Sequence, residues 1–384
     1  MRTIFCDHNS TTRTDPRVAA AMQEVAVEHF ANPSSSHRLG QAARVRLDDA
    51  RARIAALLGA KPSEIVFTAS GSEADNLAIL GSLLSTDIRG RHFVTIASEH
   101  PAVTGTAVWA QAHGFETTIV PVDSQGRLDP DEFARSLRPD TQIASVMLAN
   151  NEVGTVHPIA DLAQIARERG VVFHTDAVQA YGKIPVNVNE LGVDLLSLSS
   201  HKFYGPKGVG ILYVRQGTRL APILFGGGQE QGRRPGTENV PGAVGTALAM
   251  QIAAEEPQEI RRVGKLADEF RKLISQKVDD IMIFGDPECR LPNTVAVGFG
   301  GVEGESLAIA LDLRGICVST GSACHSGAHE PSHVLKAMGA PLHYAMGAIR
   351  FSFGRDSKPD DPALIAAAAA EEVARLRALS TAHA

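Results

Sequence analysis

The run Asp194-Leu195-Leu196-Ser197-Leu198-Ser199-Ser200-His201-Lys202-Phe203-Tyr204-Gly205-Pro206-Lys207-Gly208 decides how this chain folds. Residues 194–198 are apolar enough for a strand buried on both faces of a parallel sheet. The strand then stops, and two hydroxyls, an imidazole and an ammonium follow in succession. The Gly205–Gly208 turn leads into a second apolar run, residues 209–214. A hairpin needs the glycines and the proline, but it does not need Ser-Ser-His-Lys at a strand's mouth. A lysine held there out of bulk water is disfavoured as an ammonium, and its free amine can condense with a carbonyl. A solvated loop lysine is the competing reading.

On the N-terminal side, strand-like runs alternate with helix-like ones. Asp15-Pro16 opens a first helix over 17–30, and an amphipathic helix over 40–58 stops at Gly59. Strands are expected at 64–69, 92–97, 116–122, 142–148 and 171–173, the last ending in His174-Thr175-Asp176 with a short helix to Tyr181. Helices are expected from Ala74, from Pro101 to Gly114, over 129–137 and over 159–169. This alternation predicts an α/β fold with a largely parallel sheet covered by helices. In such sheets ligands bind at the carboxyl ends of the strands. Those ends carry Ser70-Gly71-Ser72, residues 98–100, Asn151, Asp176, Gln179 and Ser199 to Lys202, so several segments converge on one rim. Beyond Tyr213 comes a glycine-rich polar stretch, residues 225–237, and then a long helical run over 241–277 that reads as a bridge. Residues 281–384 mix strands and helices as a smaller α+β domain, which the N-terminal segment could join.

Composition narrows the function classes. A length of 384 residues suggests two or three domains, and 44% apolar with 21% charged residues is ordinary for a globular chain. The net charge of −6 with no basic stripe argues against nucleic acid as a partner. No apolar run is long enough to cross a membrane, and the start lacks the apolar stretch of a signal peptide. The four cysteines show neither Cys-x-x-Cys spacing nor disulfide-scaffold density, so a reducing, cytoplasmic enzyme is expected.

Several motifs carry chemistry. Ser70-Gly71-Ser72, between a strand and a helix start, offers backbone N–H groups and hydroxyls to one phosphate, although a serine helix cap reads the same way. No Walker loop and no Gly-x-Gly-x-x-Gly after a strand is present. Asp176 could keep an aromatic ring nitrogen protonated and the ring electron-withdrawing, or could cap a helix. Together with Lys202, His100 and the phosphate cradle, it completes the parts a pyridoxal phosphate site requires. Cys324, among glycine, serine and histidine, is the cysteine placed for reactivity, whereas Cys6 and Cys317 lie beside apolar residues. His329-Glu330-Pro331-Ser332-His333 matches a zinc-protease pattern, but Pro331 inside a helix would cost about 3 kcal/mol. A helix from near Glu330 to Met338 would leave His329 in the loop, so no metal site is expected. Arg350 in a strand suits a substrate carboxylate or a structural ion pair.

With these residues the chain resembles, along nearly its whole length, the group I cysteine desulfurases of the nitrogen-fixation and iron–sulfur-cluster type. The matching stretches are 7–16, 32–37, 68–79, 150–154, 174–179, 197–208, 226–237, 319–339 and 350–354. The resemblance implies a fold-type I pyridoxal-phosphate transferase. Its large domain, residues 16–250, would carry a mainly parallel seven-stranded sheet, and residues 1–15 and 251–384 the smaller α+β domain with the catalytic cysteine. It implies Lys202 as the lysine that bears pyridoxal 5'-phosphate, His100 stacked on its ring, Asp176 on the ring nitrogen and Gln179 on the phenolic oxygen. Gly71, Ser72, Ser199 and His201 would hold the phosphate, with Thr237 reaching the phosphate of a neighbouring subunit in a homodimer. Asn151 and Arg350 would orient the substrate, and Cys324 would be the nucleophile. The implied reaction takes L-cysteine to L-alanine and leaves a persulfide for an acceptor protein, an iron–sulfur scaffold or a tRNA-thiolation enzyme. Selenocysteine lyase or aminotransferase chemistry, and a non-catalytic relay subunit, are the alternatives. His8, Ser10, Ser72 and Ser200 depart from the usual asparagine, alanine, threonine and glycine or alanine.

Overall fold

Apolar runs too short for anything but strands, separated by helix-forming stretches, build a sheet from the middle of this chain. The structure, a computed structural model, describes residues 2–86, 89–320 and 330–382, with side chains up to residue 379. After β1 (Ile4–Phe5), the chain forms α1 (Pro16–Glu28) and α2 (Arg38–Leu58). Asp15 accepts the Arg17 N–H (2.9 Å) to start α1, and Gly59, at φ 73°, stops α2 in the left-handed conformation that glycine adopts without a steric cost. Then follow β2 (Ile65–Thr68), α3 (Gly71–Leu83), β3 (His92–Ile96), α4 (Pro101–Ala112), β4 (Glu116–Val120) and α5 (Pro130–Ser136). They are succeeded by β5 (Thr141–Ser145), α6 (Ile159–Glu168), β6 (Val172–Asp176), α7 (Val188–Leu191), β7 (Leu195–Ser199) and β8 (Gly210–Val214).

These strands form one seven-stranded sheet in the order β2-β8-β7-β6-β5-β3-β4. Only β8 runs antiparallel to its neighbours, so the sheet is mainly parallel, as expected. Every residue of β3, β5, β7 and β8 is buried, polar ones such as Thr141, Ser145 and Ser197 included, as expected for the interior of a sheet covered on both faces. Phe133 and Phe173 pack on one face, and Phe93, Leu77 and Leu212 on the other. Each such side chain contributes about 1.5–3 kcal/mol by leaving water. The parallel order brings the carboxyl ends of β2, β3, β5, β6 and β7 to one edge. No helix joins Asp176 to Tyr181: residues 178–183 are turns, with Asp176 accepting the Val178 N–H (2.8 Å) at their start.

The expected bridge over 241–277 is two helices, α8 (Val240–Glu255) and α9 (Pro257–Lys277). Proline lacks an N–H and pushes the residue before it out of the helical region, and Glu256 accordingly sits at φ −113°, ψ 50°. Next come β9 (Ile281–Phe284), β10 (Thr294–Phe299), α10 (Gly304–Leu313), β11 (Ile316–Cys317), α11 (His333–Ala337), α12 (Leu342–Ala345), β12 (Ala348–Ser352) and α13 (Asp361–Ala382). A three-stranded antiparallel sheet, β12-β10-β9, and the parallel pair β1-β11 bury Phe270, Phe299, Phe351 and Phe353 together with Ile4 and Cys6. No helix among the described residues is long and apolar enough to cross a membrane.

Candidate active site

The lysine of the opening stretch sits just past β7, in a tight turn over Ser200–Lys202. Gly205 closes that turn so tightly that a Cβ there would lie 2.0 Å from the Ser200 hydroxyl. The Ser200 hydroxyl, one of the departures noted above, is fully buried and accepts a hydrogen bond from Thr246 of α8 (2.9 Å). Lys202 Nζ donates to the backbone carbonyls of Asn9 (2.6 Å) and Ser10 (2.8 Å). Burial, then the nearby Arg350 charge, push its pKa down to about 8.

Asn9, 1% exposed, is a hub with no spare hydrogen-bonding capacity. Its N–H donates to Ser352 Oγ (3.0 Å), and its carbonyl accepts from Lys202 and from Gln179 Nε2 (2.8 Å). Its side-chain oxygen accepts from Lys183 Nζ (3.1 Å) and Asn293 Nδ2 (3.0 Å), and its Nδ2 donates to the Asn151 carbonyl (3.1 Å) and Thr294 Oγ1 (2.9 Å). Arg350 closes this side. Its Nη2 pairs with Asp7 (2.7 Å) and its Nη1 donates to the Asn151 carbonyl (3.0 Å), while Nε is buried without a partner among the described residues. The structural ion pair is therefore present, and the Nε–H is left uncommitted.

The opposite side is acidic. Asp176 ends β6, and His100 caps α4 by accepting the Ala102 N–H on Nδ1 (3.1 Å), which puts the proton of its neutral ring on Nε2. Burial holds the His100 pKa below its ordinary value. Asp75 from α3, with a side chain 2% exposed, brings a carboxylate oxygen to 3.6 Å from His174 Nε2. Ligand-capable atoms of Asp75, His100 and Asp176 all lie within 4.8 Å of one another. Glu99 accepts the Met147 N–H (2.7 Å) on one oxygen and has no partner among the described residues on the other. Burial raises the pKa of Asp75, Glu99 and Asp176, and the Asp176 charge raises the other two further. His174, between Ser145 (2.8 Å) and Ser197 (3.0 Å), is driven down to about 3 by burial and so is neutral.

Between these sides lies the start of α3. Ser70 caps it by accepting the Glu73 N–H (3.0 Å), so the cap reading holds for Ser70 and leaves the N–H groups of the first turn for an anion. A Cβ on Gly71 would lie 2.7 Å from Val178 and 3.2 Å from Ser199, so only glycine permits this approach. Ser199 is buried and Ser72 exposed. His201 Nδ1 faces Thr11 Oγ1 (3.0 Å), and burial with the Lys202 charge brings its pKa down to about 4. Thr237 is exposed in the glycine-rich segment after β8.

Cys324 and His329 lie outside the described residues. Burial pushes the thiols of Cys6 and Cys317 up, away from the reactive thiolate. The helix expected from Glu330 starts instead at His333, because Ser332 caps it by accepting the Val334 N–H (3.0 Å). His333 Nε2 donates to the Glu99 carbonyl (2.7 Å), and Ser332 Oγ to the Glu152 carboxylate, which ties α11 to the acidic side. Asn9, Lys183, Asp75 and Glu99 were not singled out from the sequence. Asp75 alone had a local signal, a lone acid in the apolar run Ala74 to Ile79.

The donor set suits a ring that carries an aldehyde, a basic nitrogen and a phosphate: a partly neutral amine, a buried carboxyl beside an imidazole, and a glycine-lined helix mouth. Comparison with known proteins agrees. The profile of the aminotransferase class-V family matches residues 4–362. Cysteine desulfurase IscS of Dictyoglomus turgidum is 46% identical over 94% of this chain and 92% of its own length. A solved NifS-like protein superposes with a TM-score of 0.90 at 37% identity, covering 97% of this chain and 100% of the other. A structure described as SspA in complex with cysteine superposes with a TM-score of 0.81 at 34% identity, covering 92% and 99%.

Proposed function

We propose that this chain, which belongs to the aminotransferase class-V family and is a pyridoxal-phosphate-dependent cysteine desulfurase, converts L-cysteine to L-alanine and keeps the sulfur on Cys324 as a persulfide. The observation that carries this reading is the Lys202 amine, half-buried and shifted toward its neutral form in a site whose other side holds Asp176 and His100. Residues 16–250 would bind the cofactor, and residues 1–15 with 251–384 would bring Arg350 and Cys324 to it.

Lys202 would bond the cofactor's aldehyde carbon, Asp176 its ring nitrogen and Gln179 its phenolic oxygen, with His100 against the ring face. Gly71, Ser72, Ser199 and His201 would hold the phosphate, and Thr237 would reach the phosphate of a second subunit. The exposed Phe225 (88%) beside Thr237's glycine-rich segment supports a homodimer. When bound, pyridoxal phosphate withdraws electrons from the substrate's α-carbon. Arg350 and Asn151 orient the substrate carboxylate, the guanidinium through its uncommitted Nε–H. The freed Lys202 amine accepts the α-proton, and its lowered pKa suits it to both taking and returning one. His100, with its proton on Nε2, moves a proton toward the departing or returning atoms. The Cys324 thiolate attacks the substrate sulfur: a sulfur–sulfur bond forms, the substrate carbon–sulfur bond breaks, and that carbon takes up a proton to become the methyl group of alanine. No oxidant is required. The persulfide passes to an acceptor protein of the iron–sulfur-scaffold or tRNA-thiolation kind, in the cytoplasm.

The test is Cys324→Ala, loaded with the cofactor and given L-cysteine. The variant should retain the bound chromophore and lose both persulfide and alanine formation. Undiminished alanine formation would refute the assignment of Cys324.

A further inference from the structure

Lys183 belongs to none of the motifs discussed above, yet its amine is buried in the same site. The charged groups that face it are cations, Lys202 and Arg350, and His8 and His201 also lie within electrostatic reach. Asp7 and Asp176 act on neighbouring Lys202. A buried amine among cations is costly unless something specific holds it. What holds Lys183 is a pair of amide oxygens: Gln179 Oε1 at 2.5 Å and Asn9 Oδ1 at 3.1 Å.

The consequence falls on Gln179, which is 4% exposed and lies at the end of β6. A glutamine amide has an accepting end and a donating end of nearly the same shape, and the surroundings decide which points where. Here both ends are determined. The Lys183 amine spends its N–H groups on two amide oxygens, Gln179 Oε1 and Asn9 Oδ1, so it takes the oxygen end. The Asn9 carbonyl can only accept, so it takes the NH2 group (2.8 Å), and that carbonyl is the one Lys202 Nζ also uses at 2.6 Å. The donating end of Gln179 is therefore turned toward whatever Lys202 carries.

We propose that Lys183 is a positioning residue of the active site: by binding the Gln179 amide oxygen it holds Gln179 in place as a hydrogen-bond donor to the phenolic oxygen of the group bound on Lys202. The inference rests on the pyridoxal phosphate reading above. A fixed donor at the phenolic oxygen favours loss of the proton from the nitrogen that links Lys202 to the cofactor. Without Lys183 the amide oxygen loses its donor and only the Asn9 carbonyl holds the side chain, so the donor at the phenolic oxygen is loosened and that proton is held more tightly.

The experiment follows the absorbance of the bound cofactor against pH in wild type, Lys183→Met, Gln179→Leu and the double variant, with Lys183→Arg as the conservative control. Only folded, loaded protein contributes to this signal. In Lys183→Met the titration midpoint should rise by about one pH unit. Lys183→Arg should stay near wild type, and Lys183→Met should add little in the Gln179→Leu background. An unchanged midpoint in Lys183→Met, or an equal shift with and without Gln179, overturns the proposal. If Lys183→Met takes up no cofactor, uptake restored in Lys183→Arg supports it, and failure of both overturns it. A wild-type protein that forms no linked chromophore would instead sink the functional reading beneath it.

Discussion

The two sides of the active site are built from opposite charges, yet burial acts on both in the same sense. On the acidic side, Asp75, Glu99 and Asp176 are pushed up toward their neutral, protonated forms. On the basic side, Lys202 and Lys183 are pushed down toward neutral amines. The difference lies in how each side is satisfied. On the basic side every donor and acceptor of Asn9 is used, and Arg350 Nε alone is left without a partner among the described residues. The acidic side leaves oxygens of Asp75 and Glu99 without partners among the described residues. An arrangement with unspent acceptors on one side and a lowered amine on the other is built to receive a group that is basic at one end and electrophilic at the other.

Three variants sharpen this contrast, in falling order of effect. Asp176→Asn removes the carboxyl assigned to the ring nitrogen, and alanine formation from L-cysteine should fall by about a hundredfold or more, measured as kcat/KM. A loss under threefold would show that the acidic side serves only packing. The second concerns Lys202 before the cofactor arrives. Its pKa is lowered to about 8, so the reactive free amine predominates above that pH and the ammonium below it. The rate of cofactor uptake by the apoprotein should therefore fall about tenfold per pH unit below that midpoint. Stopped-flow absorbance would read it, and a pH-independent rate would contradict a lowered amine. The smallest effect concerns stability. Asp75 has a folded-state pKa above its unfolded value, so its contribution is fully present at low pH and is lost as pH rises through the folded pKa. Asp75→Asn removes that penalty, and the apoprotein should melt about 2 °C or more higher at mildly alkaline pH but not at acidic pH. Scanning calorimetry at both values checks the sign.

Much of the site was legible because the fold class alone delivers it. A parallel sheet sends its carboxyl ends to one edge, so Ser70, His100, Asp176 and Lys202 could be gathered on one rim from the alternation of strands and helices. Asn9 and Lys183 could not, since their importance comes from burial and from partners remote in the chain. No local pattern says that the carbonyl of residue 9 will receive both a lysine and a glutamine. Asp75 was hidden for a related reason: a helix tolerates an acid, and only the position of β6 makes it face Asp176 and His174. The break at Glu256 differs, because Pro257 announced it and a continuous bridge was expected all the same. The start of α11 was likewise written in Ser332, a better cap than the Glu330 favoured in its place.

The saturation of Asn9 also makes the site a clasp between distant parts of the chain. Ser352 lies 343 residues further along and Thr294 lies 285 further, and both bond the residue whose carbonyl seats the Lys202 amine. A disturbance in β12 or β10 therefore reaches Lys202 through Asn9, without touching the large sheet that carries the lysine.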